Sequence, residues 1–236
     1  MDLSKNNKFY FLKPVYKFFR FGVATSWIFT LILAPIKTFV NIQLNRRKKY
    51  RCLEVGADAM NPVSGFESLS IYDFINIDYV IDLNKGLPFD DNSFDVIYAS
   101  HVIEHIVWYK VPFVLKELSR VCKPGGRVEI WVPDGYKIAK AIIEFEDEKG
   151  DASPLDGYYE CMPDRDLIWW ANLRTFAHGD GKATLSDPNW HRAIFTDRFL
   201  KKILLENGFN SVKSLTSEDV RAKDHGWINL GVVGIK

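Results

Sequence analysis

Sulfur, surplus charge and long apolar stretches are all scarce in this chain. Its three cysteines (Cys52, Cys122 and Cys161) stand alone, with no CxxC pair. That pattern argues against a disulfide framework or a zinc ribbon, and a reducing compartment is the simplest setting. Basic and acidic residues nearly cancel, 31 against 30, so no bulk charge draws the chain to nucleic acid. The longest nearly uncharged run, Phe21–Ala34, is only about two-thirds of the roughly 20 residues that a membrane-spanning helix needs. It starts too deep in the chain, and lacks a small-residue cleavage site, to read as a signal peptide. No internal repeat or low-complexity stretch is visible. What is present is the balance of a folded globular protein, with 47% apolar and 26% charged residues over 236 positions. That length is near the upper end for one α/β core.

One absence is local. No acidic residue occurs between Ser4 and Arg51. In that stretch Phe9, Tyr10, Phe11, Tyr16, Phe18 and Phe19 interleave with Lys8, Lys13, Lys17 and Arg20, and the segment closes on Arg46, Arg47, Lys48 and Lys49. Two readings stay open. Residues 1–49 form extra helices packed on the following domain or on a second subunit of a homodimer. Alternatively, residues 8–49 lie on an anionic membrane surface, at the inner face in a cytoplasmic protein.

Beyond Tyr50 the pattern alternates between strand and helix. Arg51–Gly56 is a short apolar run ending in glycine, which suits a buried parallel strand. Ser68–Asp73 and Ile77–Asp82 read as the next two strands, and Phe94–Ser100, entered from an Asp91-Asn92 turn, is the clearest. A helix is expected over about Tyr109–Cys122, with Pro112 in its first turn and Val114, Leu115, Leu118 and Val121 on one face. Lys123-Pro124-Gly125-Gly126 stops it, and Arg127–Val132 is a fifth strand. Tyr136–Glu148 has the spacing of an amphipathic helix, whereas Asp151–Asn189 reads as long, aromatic and turn-rich. Thr196 caps a helix that ends at Asn207-Gly208. Val212–Leu215 and Trp227–Lys236 close the sheet. This alternation predicts an α/β, Rossmann-like, mostly parallel seven-stranded sheet with helices on both faces, plus an N-terminal helical extension. Residues 50–236 form one domain, with an insertion at about 134–195. Ligands in such sheets bind beyond the carboxyl ends of the strands.

Three segments carry a resemblance: CLEVGAD, IDLNKGLPFDDNSFDVIYASHVIEHI and LKELSRVCKPGGRVEIWVPD. Their order and spacing resemble the class I S-adenosylmethionine-dependent methyltransferases, in particular the small branch with D-x-x-x-x-LPF-x-x-x-SFD followed by H-V-x-EH. The likeness covers about a third of the chain continuously, and WHRAIFTDRFLKKILLENGF is a weaker echo. The resemblance implies S-adenosylmethionine as cofactor. Glu54 and Gly56 would mark the first-strand loop, with Asp73 as the ribose acid and Asp78 as its competitor. Asp82 and Leu83 would lie against adenine, and Ser100 and His101 would face the methionine end. Asp90, Asp91 and Asn92 read as a solvated turn, and Asp95 as a residue holding that turn. Glu104 and His105 are expected to be a structural pair closing the loop after the fourth strand.

The chain departs from the family where G-x-G-x-G is usual, reading Gly56-Ala57-Asp58-Ala59-Met60. Glycine lets backbone approach a ligand without an intervening Cβ. Asp58 would either bind the ammonium of the methionine tail or mark a changed cofactor site. The spacing from Gly56 to Asp73 leaves little room for a full first helix.

The region after the fifth strand would set the acceptor. Its Tyr158, Tyr159, Trp169, Trp170, Phe176 and Trp190 suit a sugar or another flat hydroxylated molecule, or form a lid or dimer surface. Transfer to a hydroxyl needs a base, for which His178 and His191 are the candidates, with Asp187 to orient one of them. His178, Asp180 and Asp187 match no recognised metal motif, and no metal is expected. Three functions follow from the resemblance. The first is O-methylation of a sugar or lipid-linked glycan in a surface-polysaccharide pathway. The others are an inactive methyltransferase-like partner subunit and a small-molecule N-methyltransferase.

Overall fold

The computed structural model describes residues 27–147, 167–176 and 188–236. Helix α1 (Trp27–Asn45) is followed by β1 (Cys52–Val55), β2 (Glu67–Ser70), β3 (Tyr79–Val80) and β4 (Phe94–Ser100). Then come α2 (Val111–Val121), β5 (Cys122–Pro133), α3 (Gly135–Glu146), α4 (Leu167–Phe176), α5 (Asp197–Glu206), β6 (Ser211–Leu215) and β7 (Asn229–Ile235). The strands form one sheet in the order β3-β2-β1-β4-β5-β7-β6. All neighbours are parallel except that β7 runs antiparallel to both β5 and β6. This is a Rossmann-like α/β fold.

The central strands need cover on both faces because their side chains are apolar in succession rather than alternately. Leu53, Val55, Ile97, Ala99, Val128, Ile130 and Val132 are all buried. Helix α2 lays Val114, Leu115 and Leu118 on them, and α5 adds Leu200 and Leu204. Capping follows the expected chemistry at α5, where the Thr196 side chain accepts from the Phe199 amide. The glycine stop after α2 takes a different form: β5 already starts at Cys122, and the pairing with β4 skips from Phe94↔Cys122 to Val96↔Arg127. Lys123-Pro124-Gly125-Gly126 thus bulges out of a strand that has begun.

One further expectation needs correction. The aromatic stretch read as turn-rich contains α4, which buries Leu167, Trp170 and Ala171 against Ile138 and Ala141 of α3 and against Ile228. This small second core sits apart from the main one. No helix occurs between β1 and β2, as the short spacing implied.

Helix α1 runs through Pro35 and docks at the β3 edge of the sheet. The Thr38 hydroxyl accepts from the Val80 amide at 2.9 Å, and the Asn41 amide donates to the Asp78 carbonyl at 2.9 Å. Lys37 donates to Asp73 and to the Phe74 carbonyl, and Asn45 donates to the Tyr79 hydroxyl. Among the described residues no helix is long and apolar enough to cross a membrane.

Candidate active site

The strand order turns back between β1 and β4, so the crevice of this sheet opens at their carboxyl ends. There the chain leaves β1 through Gly56 at φ 76°, a left-handed conformation that side chains disfavour. A Cβ at Gly56 would stand 2.7 Å from Cβ of Val102, which leaves β4. The two loops therefore touch at the mouth of the crevice, and Gly56 makes that contact possible.

Acidic groups line the β1–β3 side. Glu54 is buried, and its carboxylate accepts from the Val63 amide at 2.7 Å. Burial pushes its carboxyl up to about 7, partly offset by the Val63 hydrogen bond and reinforced by nearby Asp58. Asp58 is exposed and accepts from the Met60 amide, closing a turn. Asp82 caps the short helical turn Leu83–Lys85 through the Asn84 amide at 3.0 Å and also takes the Asn84 side chain at 2.9 Å. Leu83 is buried beside them.

Asp73 departs from its expected role. It forms a buried ion pair with Lys37 at 2.6 Å, so its Oδ1 is committed to α1 rather than held for a ribose. Its competitor Asp78 is committed too, accepting from the amide and hydroxyl of Ser68. The Asp95 side chain bonds outside the Asp90–Asn92 turn it was expected to hold, pairing with Lys123 at 2.6 Å and accepting from the Arg51 amide.

The far side of the crevice, beyond β4, is a histidine cluster. Ser100 ends β4 in register with Trp131. His101 follows at φ 51°, a conformation rare for a residue with a side chain. Its Nε2 lies 2.8 Å from Asn229 Oδ1. The Asn229 amide nitrogen donates to Asp224, which fixes the orientation of that side chain, so His101 Nε2 carries the proton. His101 Nδ1 lies 3.2 Å from Glu104 Oε1, off the line of a good hydrogen bond. The His225 ring lies against His101, centroids 3.9 Å apart, and its imidazole is pushed down to about 4 by burial and by His101.

Glu104 is 1% exposed. Burial opposes its charge, yet His101, with His105 and His191 behind it, holds its carboxyl below the usual range. Segment 191–193 wraps over it, with the Arg192 and Ala193 amides donating to the Glu104 carbonyl. His191 is thereby brought to the cluster, its ring 4.8 Å from that of His105. His178 and Asp187, expected with His191 as catalytic residues, lie outside the described residues, as does Asp180.

Residues 52–130 match the family described as a methyltransferase domain. Over that stretch, a third of the chain, the protein is similar to methyltransferase domains. The uncharacterized protein YafE of Escherichia coli K12 is 41% identical over 76 residues, 31% of this chain and 36% of that protein. The ubiquinone/menaquinone biosynthesis C-methyltransferase UbiE of Hydrogenovibrio crunogenus is 26% identical over 155 residues, 64% of this chain and 53% of that one. The chain thus matches between about a third and about half the length of these curated relatives. Among solved structures, a SAM-dependent methyltransferase from Archaeoglobus fulgidus superposes with a TM-score of 0.45 at 14% identity, covering 94% of this chain and 99% of that one.

The match to a methyltransferase domain agrees with the S-adenosylmethionine cofactor that the sequence resemblance implies. The side of the crevice expected to face adenine offers it a free acceptor. Asn84 Oδ1, next to Asp82, is buried without a hydrogen-bond partner, an acceptor left over for a ligand donor. On the ribose side the fit is poorer, since the expected acid is paired with Lys37. Asn84, Lys37, Asn229 and His225 were missed in the sequence. Only Asn84 left a local signal, lying two residues after Asp82 within the matched motif.

Proposed function

We propose that the protein transfers the methyl group of S-adenosylmethionine to a hydroxyl of a sugar or lipid-linked glycan. The observation that carries this reading is the Glu104–histidine cluster, which stands beyond β4 next to a surface of exposed aromatic side chains. Tyr136, Trp169 and Phe176 are 63%, 59% and 52% exposed on α3 and α4. Aromatic faces beside polar groups suit a hydroxylated ring. In the transfer the acceptor O–H bond breaks, an O–CH₃ bond forms, and the sulfonium S–CH₃ bond breaks with its electron pair left on sulfur. The acceptor proton leaves at the cluster, where His191 stands. When bound, the cofactor supplies the electrophilic methyl group. Asp82, Leu83 and Asn84 would hold its adenine, and Asp58, with Glu54 as a hydrogen-bonding carboxyl beside it, would face the ammonium of its tail.

Contact with a membrane face fits this acceptor. The outward side of α1 exposes Ile36 and Phe39, and Arg46, Arg47, Lys48 and Lys49 follow it. Apolar and basic groups together favour an anionic bilayer.

A second reading, C-methylation of a quinone precursor, draws on the name of the Hydrogenovibrio crunogenus relative. Calorimetry with S-adenosylmethionine and S-adenosylhomocysteine, on wild type and Asp82→Ala, tests the cofactor site; micromolar binding lost in the variant is expected. A folded protein that binds neither compound would sink both readings in favour of a non-catalytic partner subunit. Radiolabelled methyl transfer to a glycan panel, set against demethylated quinones, then separates the acceptors.

A further inference from the structure

Glu104 is a carboxylate with almost no access to water, and neither of its oxygens has a hydrogen-bond partner. Such a group is costly to bury unless something charged completes its environment. His101 covers one edge at 3.2 Å without a well-directed hydrogen bond. On the other side, one donor atom each from Glu104, His105 and His191 lie within 4.8 Å of one another. His105 Nδ1 is also buried without a partner. His191 Nδ1 faces the Arg174 carbonyl at 3.0 Å. A carbonyl only accepts, so Nδ1 carries the proton and Nε2 keeps its lone pair. Anchoring one ring nitrogen on a backbone carbonyl is how a metal-binding histidine is commonly oriented.

We propose that Glu104, His105 and His191 form a binding site for a divalent transition-metal ion of the zinc class. Two imidazoles and one carboxylate, with a coordination position left open, are a donor set that zinc and its neighbours accept. Bonds of about 2.0–2.2 Å would place donors on adjacent tetrahedral corners roughly 3.4 Å apart, so from 4.8 Å the set must tighten by up to about 1.4 Å. The half-buried rings of His105 and His191 can supply that movement by rotation about their side-chain bonds. Pro133, Gly135, Arg174 and Ile194 line a recess that also includes Glu104 and His191.

The site itself does not depend on the methyl-transfer reading, but one consequence does. An acceptor hydroxyl bound at the open position would give up its proton more readily, as metal-bound water does, and the proton would pass to solvent. His191 would then hold the ion rather than take the proton.

The full chain, stripped with a chelator, is titrated with Zn²⁺ alone by calorimetry and with Co²⁺ by visible absorption. One equivalent of Zn²⁺ and a four- or five-coordinate Co²⁺ spectrum are expected. His105→Ala and His191→Ala should each weaken Zn²⁺ binding by about tenfold or more, while Lys202→Ala, exposed on α5, leaves it unchanged. No stoichiometric binding, or binding indifferent to both ligand variants, would overturn the proposal. Circular dichroism checks that each variant folds, and the wild-type Co²⁺ spectrum decides the matter should either fail. Methyl donor is absent throughout. Zinc retained without methyl transfer would therefore fault the reaction and leave the metal site standing.

Discussion

Lys37 Nζ lies 2.6 Å from Asp73 Oδ1, and the two side chains are 3% and 5% exposed. This pair ties α1 to the loop after β2 and removes from the crevice the acid that the motif pattern offers for ribose. Removing one partner strands a buried charge, which typically costs about 3–5 kcal/mol. Lys37→Met is expected to lose stability in that range by urea unfolding. Adding Asp73→Asn should recover a substantial part. A Lys37→Met protein as stable as wild type would show that the pair contributes little.

Gly56 and Val102 should be energetically coupled. Alanine at Gly56 meets two penalties: the left-handed φ of 76° and a Cβ–Cβ approach of 2.7 Å. The first costs about 1–2 kcal/mol, and a glycine at 102 relieves only the second. A double-mutant cycle with Gly56→Ala and Val102→Gly should give a coupling of at least about 1 kcal/mol in unfolding. Additive costs would place the two loops farther apart in solution.

Glu54 gives stability a defined pH dependence. Its carboxyl is raised from 4.5 to about 7 in the folded chain, chiefly by burial. Between those values the folded state holds more protons on this group than the unfolded state does. Its contribution therefore falls as pH rises from about 4.5 to about 7 and is level above that. Glu54→Gln keeps an acceptor for the Val63 amide and removes the charge. At pH 8 the variant should be the more stable, by up to about 3 kcal/mol, with the gap closing toward pH 5. Thermal melts of both proteins across this range check it, and parallel curves would rule out the Glu54 origin.

Trp170 is the largest side chain of the small core. It is fully buried and its indole N–H has no partner. Trp170→Phe removes that orphaned donor and should cost about 1–2 kcal/mol or less. Trp170→Ala should cost about 3–5 kcal/mol, read locally as faster hydrogen exchange in α3 and α4 before β1, β4 and β5 are affected. Uniform loss of protection across the sheet would mean that the two cores unfold together.

The parts of the fold visible in the sequence are those set by neighbours along the chain. Strand β4 declares itself by an apolar run after a turn, and α5 by Thr196 at one end and Asn207-Gly208 at the other. Helix α4 has no such signal, because its apolar residues are nearly continuous and its partners Ile138, Ala141 and Ile228 lie far away in sequence. The site divides in the same way. Asp82, Leu83 and Gly56 sit in motifs and keep their local order in the fold. The Lys37–Asp73 pair joins positions 36 residues apart, and the histidine cluster draws on three separate segments. Glu104 and His105 are adjacent, a spacing that matches no ligand motif. Only the turn that carries segment 191–193 over Glu104 gives them a third partner.

The docking of α1 also bears on how the molecule keeps to itself. Strand β3 is two residues long and ends the sheet, so its outer N–H and C=O groups would be free to pair with another chain. Thr38 takes the Val80 amide, and Asn41 supplies a donor to the Asp78 carbonyl at the strand's entrance. Two side chains of a helix thus fill bonding positions that a neighbouring strand would otherwise seek. Detaching α1 would uncover an adhesive border, and the protein would be expected to self-associate before it unfolds.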